Sequence, residues 1–311
     1  DPGVKQEWVQ RIQAVDSTYV PDEKDTMTVT VKPTLPTQFG QGIRVQDLMI
    51  LRILTQVKVS RPIYFAVTVA DNNKVGLLDY LQMDGLAFRV MPVKVNGRFI
   101  DPEVIEEKML AKYDYRNLNN PDVYYNDNIL ALLGNYRSGF LTLMQHYVDA
   151  GQKESALRVL DKMNEVMPEE VIPASDVRFS LYVGQVYNSL GRPEEFKRRL
   201  DKVVYDSGFT PAQRVQFLDA YASQLRDFEG AKALAENLIN DEATPDEVSA
   251  LVYNFMASQY TVRGEYDEGL EMVRSWMARS PGNPEAQSRL QQLENLKNAA
   301  QGAASADTSG N

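Results

Sequence analysis

Glycine and tyrosine recur at a fixed spacing in the second half of this 311-residue chain, and this recurrence restricts the possible folds more than any other feature. Three glycines each follow one amphipathic segment of helical period and precede another: Gly151, Gly191 and Gly264. When each glycine is placed at position 15 of a 34-residue unit, position 11 holds Tyr147, Tyr187 and Tyr260. A turn-forming glycine between two amphipathic helices predicts a helical hairpin, and successive copies predict a stack of hairpins.

A second position of the unit supports the same register. Position 20 is small in three copies, as Ala156, Ala231 and Gly269, whereas Phe196 breaks the pattern and predicts a more open second hairpin. This is the tetratricopeptide pattern, in which large residues of the first helix receive a small residue of the second. The copy at about 212–240 is the least regular, because Arg226 stands where glycine is expected. The alternative is a non-repetitive helical bundle, which the coincidence of tyrosine, glycine and proline positions disfavours.

The periodicity of the sequence changes near residue 130. Before this point, short apolar runs alternate with Pro, Gly and Asn. Periodicity in this first part predicts helices at Lys5–Val15, 48–56 and Val75–Met83, and strands at Met27–Val31, Ile63–Val69 and Leu86–Val93. We therefore predict an α+β chain that is mostly α. A small α/β subdomain over 1–128 is followed by a tetratricopeptide-like helical-hairpin solenoid over 129–299. The solenoid ends in a capping helix, and 300–311 form a disordered tail.

The residue types present exclude several kinds of chemistry. The chain has no cysteine, which excludes disulfides, thiolate catalysis and iron–sulfur clusters, and a single histidine, which excludes multi-histidine metal sites. Its net charge of -10 repels phosphate backbones, so we expect no nucleic-acid partner. We predict no catalytic residue, no metal site and no cofactor.

Three local patterns that could suggest chemistry are better explained as structure. His146 lies inside a repeat helix, and the sequence has no nucleophile-elbow motif to supply a serine. Asp71–Gly76 begins like a calcium loop, but Val75 and Gln82 stand where ligands are needed. The adjacent glutamates at 106–107, 169–170 and 194–195 would point about 100° apart on a helix and could not act on one bond.

The repeat register also predicts a groove along the first helix of each hairpin. Its candidate lining residues are Leu141, Gln145, Arg178, Leu181, Gln185, Asn188, Asn254 and Ser258. Mixed amide, hydroxyl and aliphatic groups suit an extended polypeptide or a neighbouring domain. The Lys/Asn set that clamps a C-terminal carboxylate is absent, which argues against a receptor for chaperone tails. A groove filled by a segment of the chain itself is an equal alternative.

Arg61 and Pro62 precede a predicted buried strand. In the plain interpretation Pro62 fixes the entry to the strand while Arg61 is solvated. In the alternative, Arg61 and Arg89, which stand near the ends of two predicted strands, line one site.

Several blocks of the sequence together resemble one family. They are Asp47–Leu54, Arg61–Val69, Leu77–Gly85, Leu86–Val93, Val123–Asp127 and Asn135–Arg137. Over roughly 45–170, the chain resembles the soluble C-terminal region of bacterial protein O-mannosyltransferase-like membrane proteins (domain of unknown function 2723). The resemblance makes Arg61, Tyr64 and Arg89 a candidate site of the family motif.

The resemblance also implies a location and a role. In that family, a membrane domain similar to lipid-linked glycosyltransferases precedes this region, which lies outside the cytoplasm. The chain would then lie at the periplasmic face of the inner membrane and associate with the membrane only through a missing N-terminal region. The start at Asp1 is consistent with a cut inside a longer protein. The family's catalytic acid lies in a membrane-domain loop, so no catalytic residue transfers to this chain.

Three functions remain open at this stage. The first is a non-catalytic extracytoplasmic accessory module of a membrane glycosyltransferase-like protein, which binds an acceptor polypeptide, an assembly partner or its own membrane domain. The second is a free-standing tetratricopeptide-type scaffold. The third is a carbohydrate-active enzyme that uses carboxylates of the α/β part, which would need a deep pocket with two convergent carboxylates.

Overall fold

A computed structural model describes residues 2–15, 17–21, 27, 29–33, 35–38, 40–57, 61–95, 99–174, 176–206 and 208–308. The fold is α+β and mostly α, which confirms the predicted class. The chain divides into two compact units, Asp1–Ser175 and Asp176–Asn311. The predicted boundary at 128 lies inside the first unit, because the helix that begins at Asp127 packs on a helix of the α/β part. The first helical hairpin therefore belongs with the sheet.

The first unit contains five α-helices in its described residues: α1 (Pro2–Val15), α2 (Val45–Val57), α3 (Pro102–Glu106), α4 (Asp127–Asp149) and α5 (Lys153–Val166). A π-helical turn at Glu107–Lys112 continues α3. Two short strands, β1 (Leu35–Thr37) and β2 (Gly40–Gly42), pair antiparallel. A four-stranded sheet contains β3 (Tyr64–Ala66), β4 (Leu81–Met83), β5 (Ala87–Val90) and β6 (Phe99–Ile100) in the order β3-β5-β4-β6. Only β4 and β6 are parallel; the other two pairings are antiparallel.

Helices α1 and α2 and strands β3 and β5 lie where the sequence predicts them. The helix predicted over Val75–Met83 is wrong, because a short 3-10 turn leads directly into β4. Val75 and Gly76 have φ angles of 53° and 72°, and two successive left-handed residues cannot begin a right-handed helix. The described residues of the predicted strand Met27–Val31 form no strand, and residue 28 lies outside the described part.

Among the described residues, two apolar clusters pack α1 and α2 against the sheet region of the first unit. One joins Ile12 of α1 to Met91, Val93 and Val95, which follow β5. The other joins the sheet to the inner face of α2 through Phe65, Leu77, Tyr80, Leu81, Val90, Ile50 and Leu54. The sheet thus lies against helices, and burial of these apolar side chains supplies the main driving force for packing.

The second unit is a series of helices joined by short turns. They are α6 (Val177–Ser189), α7 (Pro193–Asp206), α8 (Pro211–Arg214), α9 (Phe217–Asp219), α10 (Phe228–Asn240), α11 (Asp246–Arg263), α12 (Tyr266–Arg279) and α13 (Pro284–Thr308). A π-helical turn at Ala220–Gln224 follows α9. Helix α13 continues to Thr308, so most of the segment predicted as a disordered tail from 300 is helical.

The interhelical turns share one backbone geometry. Gly151, Gly191 and Gly264 have left-handed φ angles of 70°, 94° and 75°. The residue after each glycine donates its backbone N–H to the carbonyl of the repeat tyrosine, at 2.8, 2.9 and 2.9 Å respectively. A backbone bond of this span across a left-handed residue is the Schellman motif. The structure confirms the predicted hairpin turns.

The irregular third copy reaches the same geometry by another route. Arg226 has a left-handed φ of 54°, although it carries a side chain. Asp227 donates its N–H to the carbonyl of Tyr221 at 2.8 Å, a span one residue longer than in the other turns. The π turn at Ala220–Gln224 accommodates this extra residue. Tyr221 therefore occupies the place of the repeat tyrosine one position early, which explains why sequence spacing alone made this copy look weak.

Candidate functional site

Three polar or aromatic side chains form a row across the four-stranded sheet. The strand register pairs Tyr64 of β3 with Arg89 of β5, and Arg89 with Gln82 of β4. Directly opposed residues on neighbouring strands project from the same face of a sheet. We call this row, together with Trp8, Asp84 and Lys108, the sheet site. Tyr64 and Arg89 of the predicted family-motif site are thus brought together, whereas Arg61 is exposed and precedes β3.

Helix α1 contributes an aromatic ring to the sheet site. The guanidinium carbon of Arg89 lies 4.3 Å from the centre of the Trp8 ring, and that of Arg11 lies 5.3 Å away. Arg11 also binds the buried Asp101 carboxylate at 2.7 Å. Asp101 caps α3 by accepting the Val104 backbone N–H at 3.2 Å, so both of its interactions are structural.

Asp84 is the buried charge of the sheet site, with only 4% of its surface exposed. Lys108 Nζ lies 3.6 Å from its carboxylate and donates to its backbone carbonyl at 3.1 Å. The Tyr64 hydroxyl donates to the same carboxylate at 3.4 Å. Burial raises the pKa of Asp84 above its ordinary value, although the charges of Lys108 and Arg89 act in the opposite direction. Perturbed carboxylates of this kind concentrate at functional sites.

Several polar atoms of the sheet site have unmet hydrogen-bonding capacity. Gln82 is 1% exposed, and neither the oxygen nor the nitrogen of its side chain has a partner among the described residues. Asp84 Oδ1 likewise has no hydrogen-bond partner among the described residues. Because buried polar atoms are nearly always hydrogen-bonded, these atoms mark a place where water or a ligand supplies the missing partner.

Sequence reasoning missed Gln82 and Asp84. The available signal was their alternation with the apolar residues Leu81 and Met83, which is the period of a strand with one polar face. Because that window was interpreted as a helix, the two polar residues were not placed on the same face as Arg89.

In the second unit, much of the predicted groove is used for contacts between hairpins. Gln185 donates to the side chain of Gln224 at 3.2 Å, and Asn188 donates to its backbone carbonyl at 3.1 Å. Leu181 packs against the apolar core. Arg178 forms an ion pair with Asp176 at 2.5 Å at the start of α6. In the first unit, Leu141 is half-buried on α4, and the exposed Gln145 donates to Asp149 at 2.7 Å.

The groove residues on α11 lie beside helix α13. Arg289 of α13 donates to the Ser258 hydroxyl at 2.6 Å, so part of this groove is covered by the chain's own last helix. Asn254 instead lines a cavity of about 400 Å³ between the starts of α11 and α13. Leu251, 60% exposed, lies in the same cavity. Three of its lining residues are acidic: Asp246, Glu247 and Glu285.

Two of the other sequence patterns, the Asp71–Gly76 loop and the glutamates at 106–107, form structural ion pairs. Lys74 Nζ binds Asp71 at 2.8 Å, which places a cation where a calcium loop would hold its ion. Glu106 accepts a hydrogen bond from Tyr147 and pairs with Arg158 at 2.5 Å, whereas Glu107 pairs with Lys112 at 2.7 Å. Within the described ranges, no group of three His, Asp or Glu residues is arranged to hold a metal ion.

The fold and site define an α+β domain with a buried polar site, followed by helical hairpins. Residues 8–109 match the family model of TMEM260-associated domain 2. The match begins at Trp8 and extends just past Lys108, so it contains the whole sheet site. No curated protein and no solved structure matches the chain. Over the part of the chain that is described, we find no helix with the length and hydrophobicity that a membrane span requires.

Proposed function

We propose that this chain is a non-catalytic binding module of a membrane glycosyltransferase-like protein and acts on the extracytoplasmic side of the inner membrane. The match to TMEM260-associated domain 2 supports the association, since TMEM260 is itself a candidate protein O-mannosyltransferase. The resemblance of residues 45–170 to the soluble region of bacterial O-mannosyltransferase-like proteins points the same way. Membrane attachment would come from a membrane domain outside these residues.

One observation supports binding over catalysis, namely the arrangement of carboxylates in the sheet site. An acid/base mechanism on a sugar needs two carboxylates that converge on one bond. Asp101 is committed to Arg11 and to the cap of α3, so Asp84 has no free carboxylate partner in the sheet site. The buried side-chain atoms of Gln82 and Asp84 that lack hydrogen-bond partners favour recognition of a polar group instead.

The second unit would hold the acceptor polypeptide. We interpret its hairpins as degenerate tetratricopeptide-like repeats, since the Schellman turn and the repeat tyrosine recur from copy to copy. The cavity at Asn254 combines an exposed leucine with three acidic residues, which suits an extended peptide that carries a basic side chain and an apolar one.

A transfer assay tests the non-catalytic role. The purified chain is incubated with a mannosyl lipid-phosphate donor and a Ser/Thr-rich acceptor peptide. We expect no transfer above a blank without protein. Reproducible turnover would contradict the proposal and favour the carbohydrate-active enzyme.

A binding assay tests the acceptor role. Fluorescence anisotropy with labelled basic and acidic Ser/Thr-rich peptides should show tighter binding of the basic peptide. Leu251→Lys should weaken this binding by about tenfold, because it removes an apolar contact and adds a positive charge beside the acidic residues. Leu296→Lys, the same exchange at another exposed leucine, is the matched control and should have no effect. Equal binding by both variants and the parent would exclude the cavity as the peptide site.

A further inference from the structure

A second cavity lies in the first unit, against the opposite face of the sheet from the sheet site. Met83 and Phe88 line it, and they alternate along β4 and β5 with Gln82 and Arg89 of the sheet site. Its volume is about 370 Å³. This lies within the range of roughly 300–1,000 Å³ that small-molecule sites occupy. We call it the α4 cleft, because residues of α4 form one of its walls.

The walls of the α4 cleft differ in chemistry. One is apolar and consists of Val67, Val69, Met83, Phe88 and Ile100. The other comes from one face of α4 and carries Asn135, Ser138 and Thr142, which are three and four residues apart. The Thr142 hydroxyl donates to the carbonyl of Ser138 at 2.8 Å, and the Asn135 amide donates to that of Leu132 at 2.9 Å. Their oxygen atoms therefore keep acceptor capacity towards the cleft.

Lys74 and Asp71 also line the cleft and form an ion pair, in which the lysine is buried and the aspartate is exposed. Lys74 is 3% exposed, and its Nζ lies 2.8 Å from Asp71 and 4.3 Å from the centre of the Phe88 ring. An ammonium group has three hydrogens, so it can also donate to a ligand. Because Asp71 and Lys74 neutralise each other, the pair offers both a donor and an acceptor without net charge. A phosphate, a carboxylate or a lone cation would disturb this balance.

We infer that the α4 cleft binds a neutral, hydroxyl-rich ring of the size of one hexose. Such a ring has an apolar C–H face, which fits the wall formed by Met83, Phe88 and Ile100. Its hydroxyl groups can meet the oxygen atoms of α4 and the Lys74–Asp71 pair. This site is separate from the polypeptide cavity and does not depend on the proposed acceptor role. The ring could be a free sugar or a sugar residue attached to a polypeptide.

Calorimetric titration of the full chain tests this inference. Glucose, mannose and myo-inositol are the neutral probes, and inorganic phosphate and glutamate are the charged ones. We expect saturable binding of at least one neutral probe, at least about tenfold tighter than either charged probe. Tighter binding of phosphate or glutamate, or no neutral binding up to about 50 mM, would overturn the inference.

A pair of variants assigns the binding to the α4 cleft. Ser138→Leu fills the cleft from an exposed helical position and should weaken neutral binding at least about tenfold. Ser275→Leu makes the same exchange at an exposed serine of α12 and should leave binding unchanged. Thr142→Val replaces a hydroxyl with a methyl group of similar size and should weaken binding several-fold. Full binding in Ser138→Leu would overturn the assignment, provided that its circular dichroism spectrum matches the parent.

A comparison of peptide ligands tests whether the ring is a free sugar or a sugar attached to a polypeptide. A peptide with one hexose on threonine is compared with the free hexose and with the unmodified peptide. Tighter binding of the hexose-bearing peptide identifies a glycosylated polypeptide as the ligand, and tighter binding of the free hexose identifies a free sugar; both results support the site. Leu251→Lys should leave hexose binding intact, so failure of the peptide proposal remains distinguishable from failure of this one.

Discussion

The ring of Phe196 occupies the space that the absent side chain of Gly184 leaves between α6 and α7. A Cβ atom at Gly184 would lie 2.8 Å from Phe196 Cδ2 and 3.2 Å from its Cα. Phe196 is 1% exposed, so the expectation of a more open second hairpin is wrong. A large residue of the second helix thus meets a glycine of the first, which is the reverse of the arrangement that the tetratricopeptide pattern predicts.

This exchange predicts coupled effects on stability. Gly184→Ala should destabilise the protein by about 1–3 kcal/mol, because the clash outweighs the gain in helix propensity. Phe196→Ala should cost about 3–5 kcal/mol through the cavity that it leaves. In the double variant, the alanine methyl group enters vacated space, so the total loss should be smaller than the sum. Urea unfolding measures all three.

Gly134→Ala is the matched control for Gly184→Ala. It lies on α4, and a Cβ atom there would meet nothing within 4 Å. The exchange should therefore stabilise the protein by up to about 1 kcal/mol. Strictly additive losses at Gly184 and Phe196 would contradict the packing described here.

The left-handed turns give a second prediction. Gly191→Val should lower the unfolding free energy by more than about 1 kcal/mol, because a β-branched residue disfavours a φ of 94°. No neighbouring atom lies within 4 Å of the new Cβ, so a loss of stability would come from strain of the backbone and not from a steric clash. Arg226→Gly should raise stability by up to about 1 kcal/mol, since its φ of 54° disfavours a side chain. An unchanged melting temperature for Gly191→Val would argue against the turn geometry.

The raised pKa of Asp84 predicts that replacing this carboxylate with a neutral side chain stabilises the protein, and that the gain depends on pH. Its pKa is raised in the folded state above the ordinary value of 3.8, so the folded protein holds the proton more tightly than the unfolded chain. Stability is thus lost as pH rises from 3.8 through the folded pKa, and the loss persists at neutral pH. Asp84→Asn should raise the melting temperature at neutral pH, and the gain should shrink as the medium approaches pH 3.8.

Lys108→Met provides the opposite control at the sheet site. It removes a cation that faces the Asp84 carboxylate at 3.6 Å and should lower the melting temperature at neutral pH. A lower melting temperature for Asp84→Asn at neutral pH would show that the carboxylate stabilises the fold, contrary to its raised pKa.

Tyr147 predicts alkaline sensitivity of the first unit. Burial and the hydrogen bond to Glu106 raise its pKa to about 12. In the unfolded chain this phenol ionises near pH 10. Between about pH 10 and 12, ionisation therefore stabilises the unfolded state relative to the folded state, and the free energy of unfolding falls. Tyr147→Phe should make this fall shallower in urea titrations at successive pH values. Tyr124→Phe, at a side chain 87% exposed, should leave the slope unchanged.

Prediction from sequence succeeded where a feature depends on neighbours in the chain. The glycine turns and the amphipathic helices α1 and α2 follow from spacing within a few residues. The sheet site was found only in part. Tyr64 and Arg89 carried a motif, but their neighbour Gln82 becomes adjacent only through pairing of β4 with β5. Arg61, close to Tyr64 in sequence, lies outside the row.

The sequence by itself determined the class of fold, the position of the hairpin turns and the lack of thiol and multi-histidine chemistry, since these depend on residue type and local geometry. Only the tertiary structure decided which polar residues share a face, how Gly184 accommodates Phe196 and where Tyr221 enters the repeat. Each of these depends on which distant segments pack together, and packing responds to total volume and pairing rather than to sequence spacing.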